Sequence, residues 1–206
     1  MTFAAIVVGG YLLGSCPWGY WLPLLFRGDD VRRSGSGSIG ASNVWRTYGW
    51  SLGLPVVLLD TLKGFAPALV GVLAVSHLCG IAAGAAAMLG HARPLFLRFE
   101  KGGKMVATGG GVLFALCPWA ALAVAGIWIL TFVLTRYSSV ASVVSALALP
   151  VCAVAFDYPW PVIAFAAGTG AAVIVLHRAN LRRLRAGTEN RFRGFRRTSR
   201  TTSASL

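Results

Sequence analysis

Charge is scarce in this chain, and negative charge is scarcest. Six Asp and Glu stand against nineteen Lys and Arg in 206 residues, a formal net charge of +13. Only 12% of residues are charged, about half the share of an ordinary soluble domain. The shortage argues against a soluble protein. A 56% hydrophobic share and a mean hydropathy of +0.70 point to apolar runs of membrane-spanning length. Cysteine is sparse as well. Cys16, Cys79, Cys117 and Cys152 form no Cys-x-x-Cys pair and have no histidine at ligand spacing, so neither a metal nor dithiol redox chemistry is expected. Cys16 and Cys152 lie in apolar segments and read as small buried hydrophobes. The basic excess comes without zinc-finger spacing or an RNP-like aromatic motif. It is therefore read as setting topology and touching anionic headgroups, with no nucleic-acid partner. No basic segment precedes the first apolar run, which reads as a span and not as a cleaved signal. No repeat of the solenoid kind is visible.

What is present is seven apolar segments, at about 1–26, 52–75, 78–90, 105–116, 119–135, 140–156 and 160–176. The expected fold is an all-α integral membrane bundle of seven transmembrane helices. The third and fourth are short for a span of about 20 residues, and their Gly and Ala content suits close helix packing. With the N-terminus outside, seven crossings put residues 27–50, 91–104, 136–139 and 177–206 on the cytoplasmic side. Those pieces hold four, four, one and nine of the nineteen Lys and Arg, and Lys63 alone lies within a span. The connections on the opposite face hold none. Residues 1–189 are read as one membrane-embedded domain. Residues 190–206, with Arg191, Arg193, Arg196, Arg197 and Arg200, are read as a basic tail disordered against anionic lipid.

The polar islands thus face one compartment. The first alternates glycine and serine and is bracketed by Arg32, Arg33 and Arg46. Gly35, Gly37 and Gly40 let backbone N–H groups turn toward a common centre, with Ser36 and Asn43 as neutral donors. It reads as a phosphate cradle, against the plainer reading of a flexible linker. In the second apolar segment Asp60 and Lys63 share a helix face. Lys63 is either a cation near an anionic substrate or half of a buried ion pair that fixes packing. The second island sets Lys101 and Lys104 around Gly102 and Gly103. A helix starting near Lys104 aims its N–H groups at the interface. The Walker A order is absent, so nucleotide hydrolysis is not indicated. His91 reads as a hydrogen-bonded structural residue, Ser138 and Ser139 as helix caps. Ser142 requires a polar partner inside the bundle. The last island places His177 and Asn180 a turn apart, followed by Arg182, Arg183 and Arg185.

Six pieces occur in register: Gly35-Ser-Gly-Ser-Ile-Gly-Ala-Ser-Asn-Val-Trp-Arg46, Asp60-Thr-Leu-Lys-Gly64, Gly90-His-Ala-Arg-Pro-Leu-Phe, Lys101-Gly-Gly-Lys-Met-Val-Ala-Thr108, Arg136-Tyr-Ser-Ser, and His177-Arg-Ala-Asn-Leu-Arg-Arg-Leu with Gly187-Thr-Glu189. Together they resemble the PlsY family, the bacterial acyl-phosphate:glycerol-3-phosphate acyltransferases. The resemblance implies a multi-pass enzyme of the bacterial cytoplasmic membrane, working as a monomer. Its substrates would be acyl phosphate and glycerol 3-phosphate, its products lysophosphatidic acid and phosphate, with no cofactor. It also implies that Ser36 and Arg46 hold phosphate in the first loop. Lys104, with the Gly102–Gly103 turn, binds substrate phosphate in the second. Ser142, His177 and Asn180 complete the site, and Glu189, like Asp60 and His91, is structural. The chain departs from the family pattern at Ser38, Ser42 and Met105, where Asn, Thr and Gly are usual. Met105 matters most, since a side chain there is expected to crowd a loop close to phosphate.

Two rival readings accompany this one. A transporter for a phosphorylated or other anionic solute also uses basic islands and charge within a span, but commonly shows repeats and access from both faces. A structural membrane subunit would use the basic loops only to hold lipid or a partner.

Overall fold

The structure, a computed structural model, describes residues 1–192. Arg193, Arg196, Arg197 and Arg200 of the expected tail lie outside the described residues. Within them every regular element is helical. The first apolar segment is two helices, α1 (Thr2–Gly14) and α2 (Trp18–Arg27), broken just before Pro17, which caps α2 without a donor N–H. A short helix, α3 (Ala41–Tyr48), follows and leads into the long α4 (Trp50–Ala74). Then come α5 (His77–Ala92), α6 (Val106–Leu116), α7 (Pro118–Thr135), α8 (Ser138–Ala155), α9 (Trp160–Leu176) and α10 (Arg178–Arg185). Pro118 opens α7 and Pro159 caps α9, which ends the preceding chain cleanly in both places.

Among the described residues four stretches are long and apolar enough to cross a membrane: α1 with α2, α4, α7 and α8. The α9–α10 pair makes a fifth if taken as one span bent by 51°. At sixteen and eleven residues, α5 and α6 are as short as the sequence suggests. Large apolar side chains on the outside of the bundle, such as Leu122, Ile129, Leu130, Val133 and Leu134 of α7, are exposed. Lipid is the solvent that suits such a surface, and the protein is a multi-pass membrane protein.

The hub of the bundle is α4, which packs on α1, α3, α5 and α6. Contact is close because small residues sit at the crossings. A Cβ at Gly64 would strike the Thr108 carbonyl of α6, and one at Gly111 would strike the Thr61 carbonyl of α4. A Cβ at Gly14 of α1 would strike Ala87 of α5. A second, smaller core of Val31, Ile39, Val44, Leu52, Val56 and Leu97 lies under the first polar loop. That core gives the Gly/Ser stretch a fixed base, which a flexible linker would lack.

Candidate active site

The first loop is organised by one amide. Asn43, on α3 and 1% exposed, accepts from the Ser36 N–H at 2.9 Å. Its Nδ2 donates to the carbonyls of Ser34 (3.0 Å) and Ser38 (2.9 Å). A Cβ at Gly35 (φ 60°) would strike the Asn43 Oδ1. Glycine is therefore required there by both the left-handed backbone and the close approach. Asn43 thus lies beneath the loop, its hydrogen bonds given to the backbone. Gly40 is the N-cap of α3. The loop's entry is fixed by Asp30, which caps the turn by accepting from the Arg32 N–H and holds the Arg32 side chain at 2.7 Å.

The second loop rests on His91. Gly102 N–H donates to the Ala92 carbonyl (2.9 Å) and Gly103 N–H to the His91 carbonyl (3.0 Å). A Cβ at Gly103 would strike the His91 Nε2. Below the ring, His91 Nδ1 is 3.7 Å from Asp60 Oδ1. This differs from the hydrogen-bonded role expected of His91: Nδ1 has no hydrogen-bond partner, and the imidazole serves as a floor for the glycines. Asp60 pairs with Lys63 at 2.7 Å, and Lys63 also donates to the Cys16 carbonyl at 2.8 Å. Both side chains are buried, so the ammonium of Lys63 is occupied by these partners and is not part of the cavity lining. Met105, at φ 65°, is the N-cap of α6, whose first residue is Val106. Its side chain joins the hydrophobic core around α6 to α9. The penalty for a non-glycine residue here is therefore backbone strain, not a side chain thrust at a ligand.

The third and last islands close the same end of the bundle. Arg46 Nη1 makes a long hydrogen bond, 3.5 Å, to Ser138 Oγ. Neither Ser138 nor Ser139 caps α8: its N-cap is Tyr137, with no side-chain bond. The Ser138 hydroxyl is turned to Arg46 instead, and the buried Ser139 acts on the Glu189 carboxylate. Ser142 finds its polar partner in Trp128, whose Nε1 donates at 3.2 Å, while its own hydroxyl donates to the Ser138 carbonyl. His177, 3% exposed, sits where α9 turns into α10. Its Nδ1 is 2.8 Å from the Val173 carbonyl. A carbonyl only accepts, so Nδ1 carries the proton and Nε2 presents a lone pair. Asn180 donates to Glu189 Oε1 at 2.7 Å, and Arg183 Nε donates to Glu189 Oε2 at 2.9 Å.

A cavity of about 200 Å³ opens where these pieces meet. Ser36, Gly37 and Ser38 line it from the first loop, Lys101, Gly102 and Lys104 from the second, and Asn180 from α10. Arg32, one of the arginines that bracket the first island, lines it too, as do Glu100 and Arg183, which the sequence did not mark as site residues. Arg32 donates to Glu100 at 2.8 Å and so clasps the two loops together at the rim. The Asp30-x-Arg32 spacing and the Arg183–Glu189 pairing were the available signals. Gly35, Gly40, Asn43, Lys63, Gly103, Arg46, Ser142 and His177 are not among its lining residues.

Electrostatics join the cavity to Arg46. Burial pushes the Lys104 ammonium down to about 8; Glu189 opposes that shift, while Arg183, Arg46 and Lys101 add to it. Burial likewise works against the charge of Arg46, with Glu189 offsetting it in part. At Glu189 burial raises the pKa, but hydrogen bonds from Asn180, Ser139 and Arg183 bring it below the usual range. Among the described residues no carboxylate lies within 4.0 Å of Arg46 or Lys104, whereas Arg32, Lys63 and Arg183 all have one. Two cations are therefore held partly out of water with no carboxylate in direct contact, Glu189 acting on both only from a distance. That arrangement favours an anionic ligand, and phosphate suits it best. Among the described residues there is no group of three His, Cys, Asp or Glu able to hold a metal ion.

A family model described as glycerol-3-phosphate acyltransferase matches residues 4–187. The chain belongs to the glycerol-3-phosphate acyltransferase family. A glycerol-3-phosphate acyltransferase of Synechococcus sp. (strain JA-3-3Ab) is 45% identical over 184 residues, covering 89% of this chain and 90% of the relative. One from Roseiflexus sp. (strain RS-1) is 45% identical over 193 residues, covering 91% and 94%. The crystal structure of PlsY (YgiH), an integral membrane glycerol 3-phosphate acyltransferase, in its glycerol 3-phosphate form superposes with a TM-score of 0.89. It is 39% identical and covers 94% of this chain and 96% of that one. The lysophosphatidic acid form gives a TM-score of 0.85 at 38% identity, with coverage of 95% and 97%. Membership in this acyltransferase family sets aside the transporter and structural-subunit readings.

Proposed function

We propose that this acyltransferase moves an acyl chain from acyl phosphate to the 1-hydroxyl of glycerol 3-phosphate, giving lysophosphatidic acid and inorganic phosphate. The observation that carries the reading is the pair of part-buried cations, Arg46 and Lys104, neither with a carboxylate within 4.0 Å among the described residues, beside a cavity lined by the Ser36 and Gly102 loops. Both substrates bear phosphate, so bringing them together requires cationic and neutral donors in one place. Ser36 with Arg46 holds phosphate on the first-loop side. Lys104, Lys101 and the glycine backbone hold it on the second. Asn180 and His177 complete the polar wall, and Ser142, Asn43, His91 and the Asp60–Lys63 pair support it from behind.

The chemistry needs no nucleophile from the protein. The hydroxyl oxygen attacks the acyl carbonyl carbon, a new C–O ester bond forms, and the C–O bond to phosphate breaks. The hydroxyl proton ends on the departing phosphate, whose second pKa of about 6 makes its dianion a competent base. Nε2 of His177 is free to accept a hydrogen bond from the hydroxyl and orient it. In our reading the seven apolar segments cross the bacterial cytoplasmic membrane with the N-terminus outside. Residues 1–189 act as one domain and as a monomer. Purified protein in detergent, given acyl phosphate and glycerol 3-phosphate, should release phosphate and form lysophosphatidic acid in equal amounts. A covalent acyl group trapped on Ser36 would contradict direct transfer.

A further inference from the structure

The family match ends at residue 187, yet residues 188–192 turn back over the site and are tied to it at three points. Glu189 is held by Asn180 and Arg183. The Arg191 guanidinium carbon lies 5.8 Å from the centre of the Tyr137 ring. Phe192 N–H donates to the Arg136 carbonyl at 2.9 Å. The Phe192 ring stands edge-on to Phe132, 5.0 Å between centres, and Phe132 stacks on Trp128 at 5.1 Å. Against this anchored ring lies Arg46, its guanidinium carbon 5.3 Å from the ring centre.

An arginine that binds phosphate has two conflicting needs. Its long side chain must be held in one orientation, because bidentate pairing depends on the plane of the fork. Yet a carboxylate that fixed it would also neutralise it and compete with the phosphate. An aromatic face within about 6 Å resolves the conflict, since it attracts the cation while leaving its charge and its N–H groups available. Arg46 has this arrangement: no carboxylate within 4.0 Å among the described residues, a long bond to Ser138, and a ring beside it. We propose that Phe192 is a positioning residue that orients Arg46 for substrate phosphate, making residues 188–192 part of the active site. This rests on the reading of Arg46 as a phosphate ligand.

The test compares steady-state kinetics of Phe192→Leu, Phe192→Tyr and Arg46→Ala in purified full-length protein, with thermal unfolding as the control for folding. Two shortened chains, ending after Phe192 and after Arg191, accompany them. Phe192→Leu keeps the apolar bulk and removes the π face. It should raise KM about five- to thirty-fold for the same substrate whose KM rises in Arg46→Ala, with little change in kcat. Phe192→Tyr should recover most of the loss. The chain ending after Phe192 should match the full-length protein, and the one ending after Arg191 should behave like Phe192→Leu. If Phe192→Leu unfolds, the shortened pair decides. Normal kinetics in Phe192→Leu and in the chain ending after Arg191, or no recovery in Phe192→Tyr, would overturn this inference while leaving the function intact. Normal kinetics in Arg46→Ala would remove both the phosphate role of Arg46 and the need to orient it.

Discussion

Lys104 and Arg46 carry the chemistry at the level of single residues because each is a cation in surroundings that do not favour one. With a pKa of about 8, Lys104 is charged below that pH and loses its charge as the pH rises through it. KM for a phosphate substrate should therefore climb above about pH 8. In Lys104→Arg, whose guanidinium stays protonated to about pH 12 or beyond, the climb should move upward or vanish, as a pH–KM profile would show. The glycines of the second loop make a second point. Gly103→Ala puts a methyl against His91 Nε2, and the loop carrying Lys104 must shift. A displacement of about 1 Å is enough to cost on the order of 100-fold in rate, so kcat/KM should fall by 10- to 100-fold by that principle. The spacing of these residues was legible in the sequence because lysines flanking Gly-Gly before an apolar run have few other uses. The role of Asn43 was not. An amide in a polar loop looks the same whether it binds substrate or, as here, spends its donors on Ser34 and Ser38.

Among the elements, α4 sets the geometry because three polar structures hang from it: the α3 connection, the Asp60–Lys63 pair and, through His91, the second loop. Removing one member of a buried pair leaves the other charge uncompensated, at a cost of about 3–5 kcal/mol. Lys63→Met should lower thermal stability in detergent by that order, and Asp60→Asn with Lys63→Met should restore most of it. A stability unchanged in Lys63→Met would mean that the pair is already hydrated. The start of α6 sets two terms against each other. Met105→Gly relieves left-handed strain worth roughly 1–2 kcal/mol but empties a core site worth about 2–5 kcal/mol. The core term wins, so the variant should melt lower while kcat per folded molecule stays near wild type. Six of the seven apolar runs match a helix to within two residues at each end, while the first is broken into α1 and α2 at Pro17. Helix α3 was hidden because its first turn shares the small, polar composition of the loop before it. The serines of α8 were misread because capping preference is local, whereas the Ser138 hydroxyl answers to Arg46, 92 residues away in sequence.

For the whole molecule, the organising fact is that four polar islands, far apart in the chain, meet at one end of an apolar bundle. The charge distribution anticipated that end, since residues that cannot enter lipid must collect outside it. What composition could not give was depth. It did not separate the cavity lining of Ser36, Lys101, Lys104 and Asn180 from the supports beneath it. If seven segments cross the membrane, the α8–α9 connection and the C-terminal tail face opposite compartments. In a background with Cys16, Cys79, Cys117 and Cys152 replaced by alanine, Asp157→Cys should label only from outside the cell. Ser203→Cys should label only after the membrane is breached; labelling of both from one side would remove the seven-crossing arrangement.

The central claim is that separate basic and polar segments converge to hold two phosphorylated molecules for direct acyl transfer. The most direct measurement is product formation by the purified protein from acyl phosphate and glycerol 3-phosphate, beside Arg46→Ala and Lys104→Ala variants that melt like wild type. The account predicts equal yields of lysophosphatidic acid and phosphate from the wild type, and losses of at least about 10-fold in each variant, the scale of one charged hydrogen bond. Full activity in both variants, or no product from folded wild-type protein, would contradict it.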